Sequence, residues 1–250
     1  MPRRTDPTKF LDTDAMRRFH QTVYGAISWP EGAVLAVPTI LKGYGVRTNR
    51  VPVDDVEAFV ELCVRAVRAG ADVCVGVAPQ PSSAATLDIG VRGTVRSSLG
   101  VPAVFVDIDT TAGACRDAAE SPELRLPTRS EAIELVLSLP LPVTALVTAG
   151  DELQAWCCFD EPLDWRSPDG AEALWRWEVV VRRAFYCSGF RLGDEALSGP
   201  THMLRVPGTI NRKRADLPIP VRLLGDSRMS AVAWESAIAG WIAEQKPAAA

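Results

Sequence analysis

Apolar positions recur at helical spacing between Thr13 and Ile27, where Met16, Phe19, Val23 and Ile27 share one face. His20 lies beside that face, as a packed or surface residue. A second stripe, Val56, Phe59, Val60, Cys63, Val64 and Val67, follows the capping pair Asp54 and Glu57 and stops at Gly70. Val73, Val75 and Val77 then alternate with Cys74 and Gly76, which predicts a strand. Residues 82–100 are rich in Gly, Ser and Arg and read as a loop or weak hairpin. Val101 to Asp109 is the next predicted strand. Thr128 and Glu131 form a capping box for a short helix reaching Leu139. The apolar runs Val143–Thr148 and Leu153–Phe159 flank Ala149-Gly150-Asp151-Glu152, a predicted hairpin turn. A long helix is expected over Ala171–Cys187, a strand over Val221–Leu224, and a last helix from about Ser230. Hairpins mixed with crossover helices predict an α+β fold with mixed sheets.

Composition narrows the classes. The chain has 250 residues, 47% apolar and 23% charged, enough to bury a sizeable core. That excludes a disordered or collagen-like chain. The net charge of −4 argues against a wholly basic nucleic-acid coat protein but leaves room for a local basic site. The six cysteines form no C-x-x-C pair, so buried thiols in a reducing cytoplasm are expected. No apolar run reaches the length of a membrane span. Neither G-x-G-x-x-G nor G-x-x-x-x-G-K-[ST] is present, which removes the Rossmann and P-loop readings.

Three segments carry candidate chemistry. In Val104-Phe105-Val106-Asp107-Ile108-Asp109 the two acids are i and i+2 on a strand, so they share a face. Paired carboxylates at the end of an apolar strand call for a neutralising charge, which a divalent cation supplies. The alternative is a strand that simply ends at Asp109. The second segment, Arg205 to Arg214, holds four cations and no acid around Pro207-Gly208. A tight turn there would expose Thr209 and neighbouring amides to phosphate; the alternative is a solvated basic loop. The third is the hairpin. From Asp151 to Asp164 it has five acids and no base, with Gln154 and Trp156 on one face. Trp156 is either core or a stacking platform for a base.

Together these segments resemble the primase-polymerase domain of the archaeo-eukaryotic primase superfamily, of the type found in phage and plasmid replication proteins. The matching stretches are GADVCVGVAP (70–79), PAVFVDID (102–109), LPLPVTALVTAGDELQAWCCFDEP (139–162) and LRVPGTINRK (204–213). The resemblance covers roughly residues 12–225. It implies two packed α/β modules, 1–100 and an RRM-like catalytic module 101–225, with the site in the cleft between them and a C-terminal helix and tail over 226–250. It further implies template-directed nucleotidyl transfer with Mg²⁺ or Mn²⁺, a single-stranded DNA template and nucleoside triphosphates.

Asp107 and Asp109 match the family's first metal-binding motif. The second, often Ser-Gly-x-Gly-x-His, reads Ala149-Gly150-Asp151-Glu152-Leu153-Gln154 here, so Gln154 replaces the His. Asp194 or Glu195 is the counterpart of the third-motif acid; a later acid of that motif falls at about Gly199. His202 stands where relatives often carry Arg, as a structural or phosphate-facing residue. The resemblance assigns Asp107, Asp109 and Glu195 to catalysis, with Asp194 as a further metal ligand. It assigns Gln154, Arg205, Thr209, Asn211, Arg212 and Lys213 to nucleotide or phosphate. The altered second and third motifs keep a rival open: a catalytically degenerate protein that binds DNA or nucleotide in replication initiation. A metal-dependent nuclease would need the same carboxylates, but R-x-P-G-T argues against it. A helicase often follows this domain; no Walker motif is present, so a helicase is expected from another chain or the sequence is a fragment of a longer protein.

Overall fold

The computed structural model describes residues 7–83, 94–111, 124–194, 196–197, 199–213 and 219–226. Helix α1 (Thr13–His20) starts at Asp12, whose carboxylate accepts from the Ala15 amide, and runs into one π turn over Gln21–Gly25. Strands β1 (Ala33–Leu41) and β2 (Gly45–Pro52) form a hairpin. The apolar pattern did not single this hairpin out, because β2 carries polar and basic residues between its few apolar ones. Helix α2 (Val56–Arg68) is capped by Asp55, one residue later than the expected Asp54, because the Asp55 carboxylate reaches the Ala58 amide. Strands β3 (Asp72–Gly76) and β4 (Gln80–Pro81) follow.

The second half begins with β5 (Val101–Asp109) and α3 (Arg129–Ser138), which opens on the Thr128–Glu131 capping box. The hairpin β6 (Ala145–Thr148) and β7 (Glu152–Leu163) comes next. Helix α4 (Pro168–Cys187) starts three residues before the apolar stripe predicted, since Ser167 caps it and Pro168 takes the first turn. The chain closes through β8 (Met203–Arg205), β9 (Ile210–Asn211), β10 (Ile219–Pro220) and β11 (Arg222–Asp226). The expected helix from Ser230, and the tail, lie outside the described residues.

One sheet has the order β2-β1-β3-β8, with β4 also on β1; the other has the order β11-β6-β7-β5; β9 and β10 form a separate ribbon. Every pairing between strands is antiparallel. Elements β5-α3-β6-β7-α4-β11 run in βαββαβ order. Here the last strand pairs with β6 and not with β5. Strand β8 crosses the division at residue 100 to pair with β3. A continuous core joins the two sheets, from Phe19, Tyr24 and Phe59 to Trp156, Trp177 and Phe185. Trp156 is fully buried, edge-on to Phe19 at 5.4 Å, so it is core and no stacking platform. Cys63, Cys74, Cys157 and Cys158 are buried free thiols, and Cys187 is exposed. No helix among the described residues is long and apolar enough to cross a membrane.

His20 is buried against Phe59 and Tyr24, with ring centroids 5.0 and 5.9 Å away, and neither nitrogen has a hydrogen-bond partner among the described residues. Burial pushes its pKa down to about 4, against the pull of Asp55 and Asp54. Between that value and the ordinary 6.5 the unfolded chain binds the extra proton. Stability is therefore full above about pH 6.5 and falls as the pH drops toward 4, by up to about 3 kcal/mol. His20→Leu is expected to flatten this slope. Urea midpoints at pH 7 and pH 5 for both proteins check it; equal losses in the two would reject it.

Candidate active site

Strand register builds the site. Asp107 faces Gln154 and Asp109 faces Glu152 across β5 and β7. Residues directly opposite on paired strands share a face, so three carboxylates and one amide stand in a two-by-two block. Phe105 and Trp156 lie below it on the same face. The opposite face, with Val104, Val106 and Ile108, is buried.

Gln154 is buried and Glu152 nearly so, Asp107 is half-buried and Asp109 is exposed, and the block is unevenly neutralised. Glu152 is nearly buried, which by itself would raise its pKa. Arg205 Nε at 3.0 Å and Lys213 Nζ at 2.9 Å overturn this and hold the carboxyl below its usual range. Arg205 also reaches Asp72 at 3.6 Å. Burial, the largest cause, and the nearby Glu152 charge raise the pKa of both Asp107 and Asp109. At Asp107 the His202 ring, and at Asp109 the charges of Lys213 and Arg191, oppose the effect of burial without overturning it. The Asp107 Oδ2 lies 3.8 Å from His202 Nε2, while its Oδ1 is buried with no partner. Across the strand, Gln154 Oε1 is buried and unpartnered too. Two orphaned oxygen acceptors side by side are costly unless a cation meets them. The donor set, hard oxygens on one rim, fits Mg²⁺ or Mn²⁺. Among the described residues no three His, Cys, Asp or Glu side chains gather closely enough to hold a metal by themselves.

The structure gives several of the expected phosphate contacts another job. Thr209 is fully buried and its hydroxyl donates to the Val206 carbonyl. Asn211 donates from Nδ2 to the Ala149 carbonyl at 2.7 Å, tying β9 to the β6–β7 turn. Arg212 donates to the carbonyls of Ala71 and Val67, satisfying the C-terminal end of α2. The Pro207-Gly208 turn is not an open amide cradle. Gly208 donates to the Val221 carbonyl and accepts from the Asp12 amide, and a Cβ there would collide with the Asp12 carbonyl oxygen. Its φ of +85° also requires glycine. Of the basic segment, Arg205 and Lys213 reach the carboxylates.

Asp194 is exposed, and its carbonyl accepts from Arg182; no described ion pair or hydrogen bond links its carboxylate to Asp107 or Asp109. Glu195 lies outside the described residues. The Ala196 carbonyl nevertheless accepts from the Asp107 amide at 2.9 Å, so this segment runs along the free edge of β5. Sequence reasoning missed Glu152 and Asp72 as site residues. Glu152 sat inside the second motif, and its significance needed the pairing of β5 with β7. Asp72 gave no local signal.

No protein-family model matches the sequence, and no curated protein matches it. Solved structures do match. The AEP domain of the cyanophage S-2L primase-polymerase superposes with a TM-score of 0.55 at 16% identity, covering 91% of this chain and 98% of that one. The chain has the fold of a primase-polymerase. The catalytic domain of the primase RepB′, solved in complex with initiator DNA, gives a TM-score of 0.50 at 15% identity over 96% of this chain and 97% of that one. Another structure of the primase RepB′ gives 0.50 at 14% identity, over 92% of this chain and 64% of that one. In this primase-polymerase fold the carboxylate block stands on β5 and β7 of the second sheet, and Arg205 reaches it from the first.

Arg205→Met is expected to lower the unfolding free energy by about 3 kcal/mol, because two nearly buried carboxylates lose their shared cation. Adding Glu152→Gln should recover part of that loss. A double-mutant cycle from urea unfolding measures the coupling; additive losses would show that the pair does not hold the sheets together.

Proposed function

We propose that this chain is a DNA primase-polymerase domain that performs template-directed nucleotidyl transfer in replication, dependent on Mg²⁺ or Mn²⁺. One observation carries the reading: Asp107 and Asp109 share a strand face, and a buried Asp107 oxygen has no partner among the described residues, beside Arg205 and Lys213. The primase-polymerase fold supports it.

A primer 3′-hydroxyl attacks the α-phosphorus of a nucleoside triphosphate; the new O–P bond forms as the bond to pyrophosphate breaks. Asp107 and Asp109 would hold the divalent ion, which when bound lowers the pKa of the attacking hydroxyl and neutralises charge on the phosphates. Lys213, with its side chain 65% exposed, offers a cationic donor to phosphate oxygens at the rim. Arg205, deeper, keeps Glu152 ionised and fixes the floor of the site. Gln154 supplies a neutral amide where a His would bring charge. Asp194, and Glu195 outside the described residues, remain the sources of a further ligand. The template is single-stranded DNA.

A second reading is favoured by the salt bridges of Glu152 and by the lack of a three-ligand cluster among the described residues. In it the domain binds DNA or nucleotide in replication initiation without catalysis. Extension of a labelled primer with dNTP and Mn²⁺ decides. Asp107→Ala is expected to reduce extension at least about 100-fold while single-strand binding stays within about twofold, because a carboxylate repels the phosphate backbone. Wild-type protein that binds DNA but never extends a primer with Mg²⁺ or Mn²⁺ would leave the binding-only reading.

A further inference from the structure

The β1–β2 hairpin has no task in the site described above, and its chemistry is distinctive. From Ala33 to Val53 it carries Lys42, Arg47 and Arg50 and no acid, in a chain whose net charge is −4. Its turn presents Tyr44 with 86% of its surface exposed. The flanking Gly43 and Gly45 have φ of +86° and +88°, a backbone that places the ring at the apex. Next to it Val46 is 53% exposed. A large aromatic and a valine held in water, within a patch of cations, contribute nothing to folding.

Register ties this patch to the active site. Val46 pairs with Ile40, and Ile40 pairs with Asp72, so the three stand in one row on one face of the first sheet. On the same face Cys74 pairs with Arg205, which bonds both Asp72 and Glu152. The hairpin tip projects beyond the end of the sheet where Asp72 stands. Helix α2 ends beside it: a Cβ on Gly70 would lie 3.9 Å from Leu41 Cδ1. The adjoining carbonyls of Val67 and Ala71 accept from Arg212, next to Lys213 of the site rim. From β2 to β8 is three strand spacings, about 14 Å, or about four stacked nucleotides.

We infer that the β1–β2 hairpin tip is a binding site for single-stranded nucleic acid, with Tyr44 stacking one base and Lys42 meeting a flanking phosphate. A strand seated there runs across the first sheet toward Arg205 and the carboxylates. The occupant is a polyanion with exposed bases, because the patch joins cations to an exposed π-face. Duplex DNA offers no unstacked base for Tyr44. The inference gives a place to the template of the proposed function, but its binding step stands without catalysis.

Fluorescence anisotropy with a labelled oligo-dT, titrated with the full chain over a range of salt, tests it. Tyr44→Ala is expected to weaken binding about tenfold, and Tyr44→Phe to leave it within about twofold. Lys42→Ala is expected to reduce the slope of log affinity against log salt by about 0.7. The thermal midpoint of each variant should match wild type, because these side chains are exposed. Unchanged affinity and slope in both variants overturns the inference. So does a duplex of equal length that binds as tightly and depends equally on Tyr44. Primer extension runs in parallel. Loss of oligo-dT binding in Tyr44→Ala with no extension by wild type rejects the catalytic reading alone. Normal extension with unaffected binding rejects the hairpin alone.

Discussion

Glu152 is the joint on which the two sheets meet. It belongs to β7 of one sheet, and the guanidinium that holds it belongs to β8 of the other. A nearly buried carboxylate without a cation would cost several kcal/mol or take up a proton. With Arg205 and Lys213 on either side it stays ionised. Arg205 in turn bridges to Asp72 at the start of β3, and Asp72 accepts from the Arg212 amide at 2.6 Å. One chain of charge thus runs from the first sheet into the carboxylate block.

That arrangement divides the acids by role. Glu152 has its charge matched inside the protein, so it serves the joint. Asp107 and Asp109 do not, and desolvation raises both. The Glu152 of the ion pair that closes the fold shares a rung with Asp109, and Asp107 is the next residue of that face. The proximity has a cost, since the Glu152 charge adds to the repulsion felt by both aspartates. Lys213, half in solvent, is the adjustable partner in this balance.

The segment 205–213 shows how a run of cations can be mostly architecture. Gly208 lets the chain pass against the start of α1, Thr209 closes its own turn, Asn211 pins the hairpin, and Arg212 meets the end of α2. Gly208 and Arg212 tie this segment to elements of the first half, while Thr209 and Asn211 bind within the second. The basic hairpin β1–β2 has the reverse character, with Lys42, Tyr44 and Arg47 exposed.

Strand β5 with its Asp-x-Asp, the hairpin across Gly150, the capping box at Thr128 and the long helix α4 were legible because each depends on contacts a few residues apart. The short motifs at 102–109, 139–162 and 204–213 pointed to the primase-polymerase fold for the same reason: their order along the chain mirrors that fold. What the sequence by itself could not determine depends on pairings between distant segments. The rung Asp109–Glu152, the bond from Arg205 to Glu152, the burial of Thr209 and the capping of α2 by Arg212 all join residues more than a loop apart. Whether an arginine is a phosphate ligand or a structural cation is a question of which carbonyl or carboxylate lies within 3 Å. Only the packing of the two sheets decides that distance.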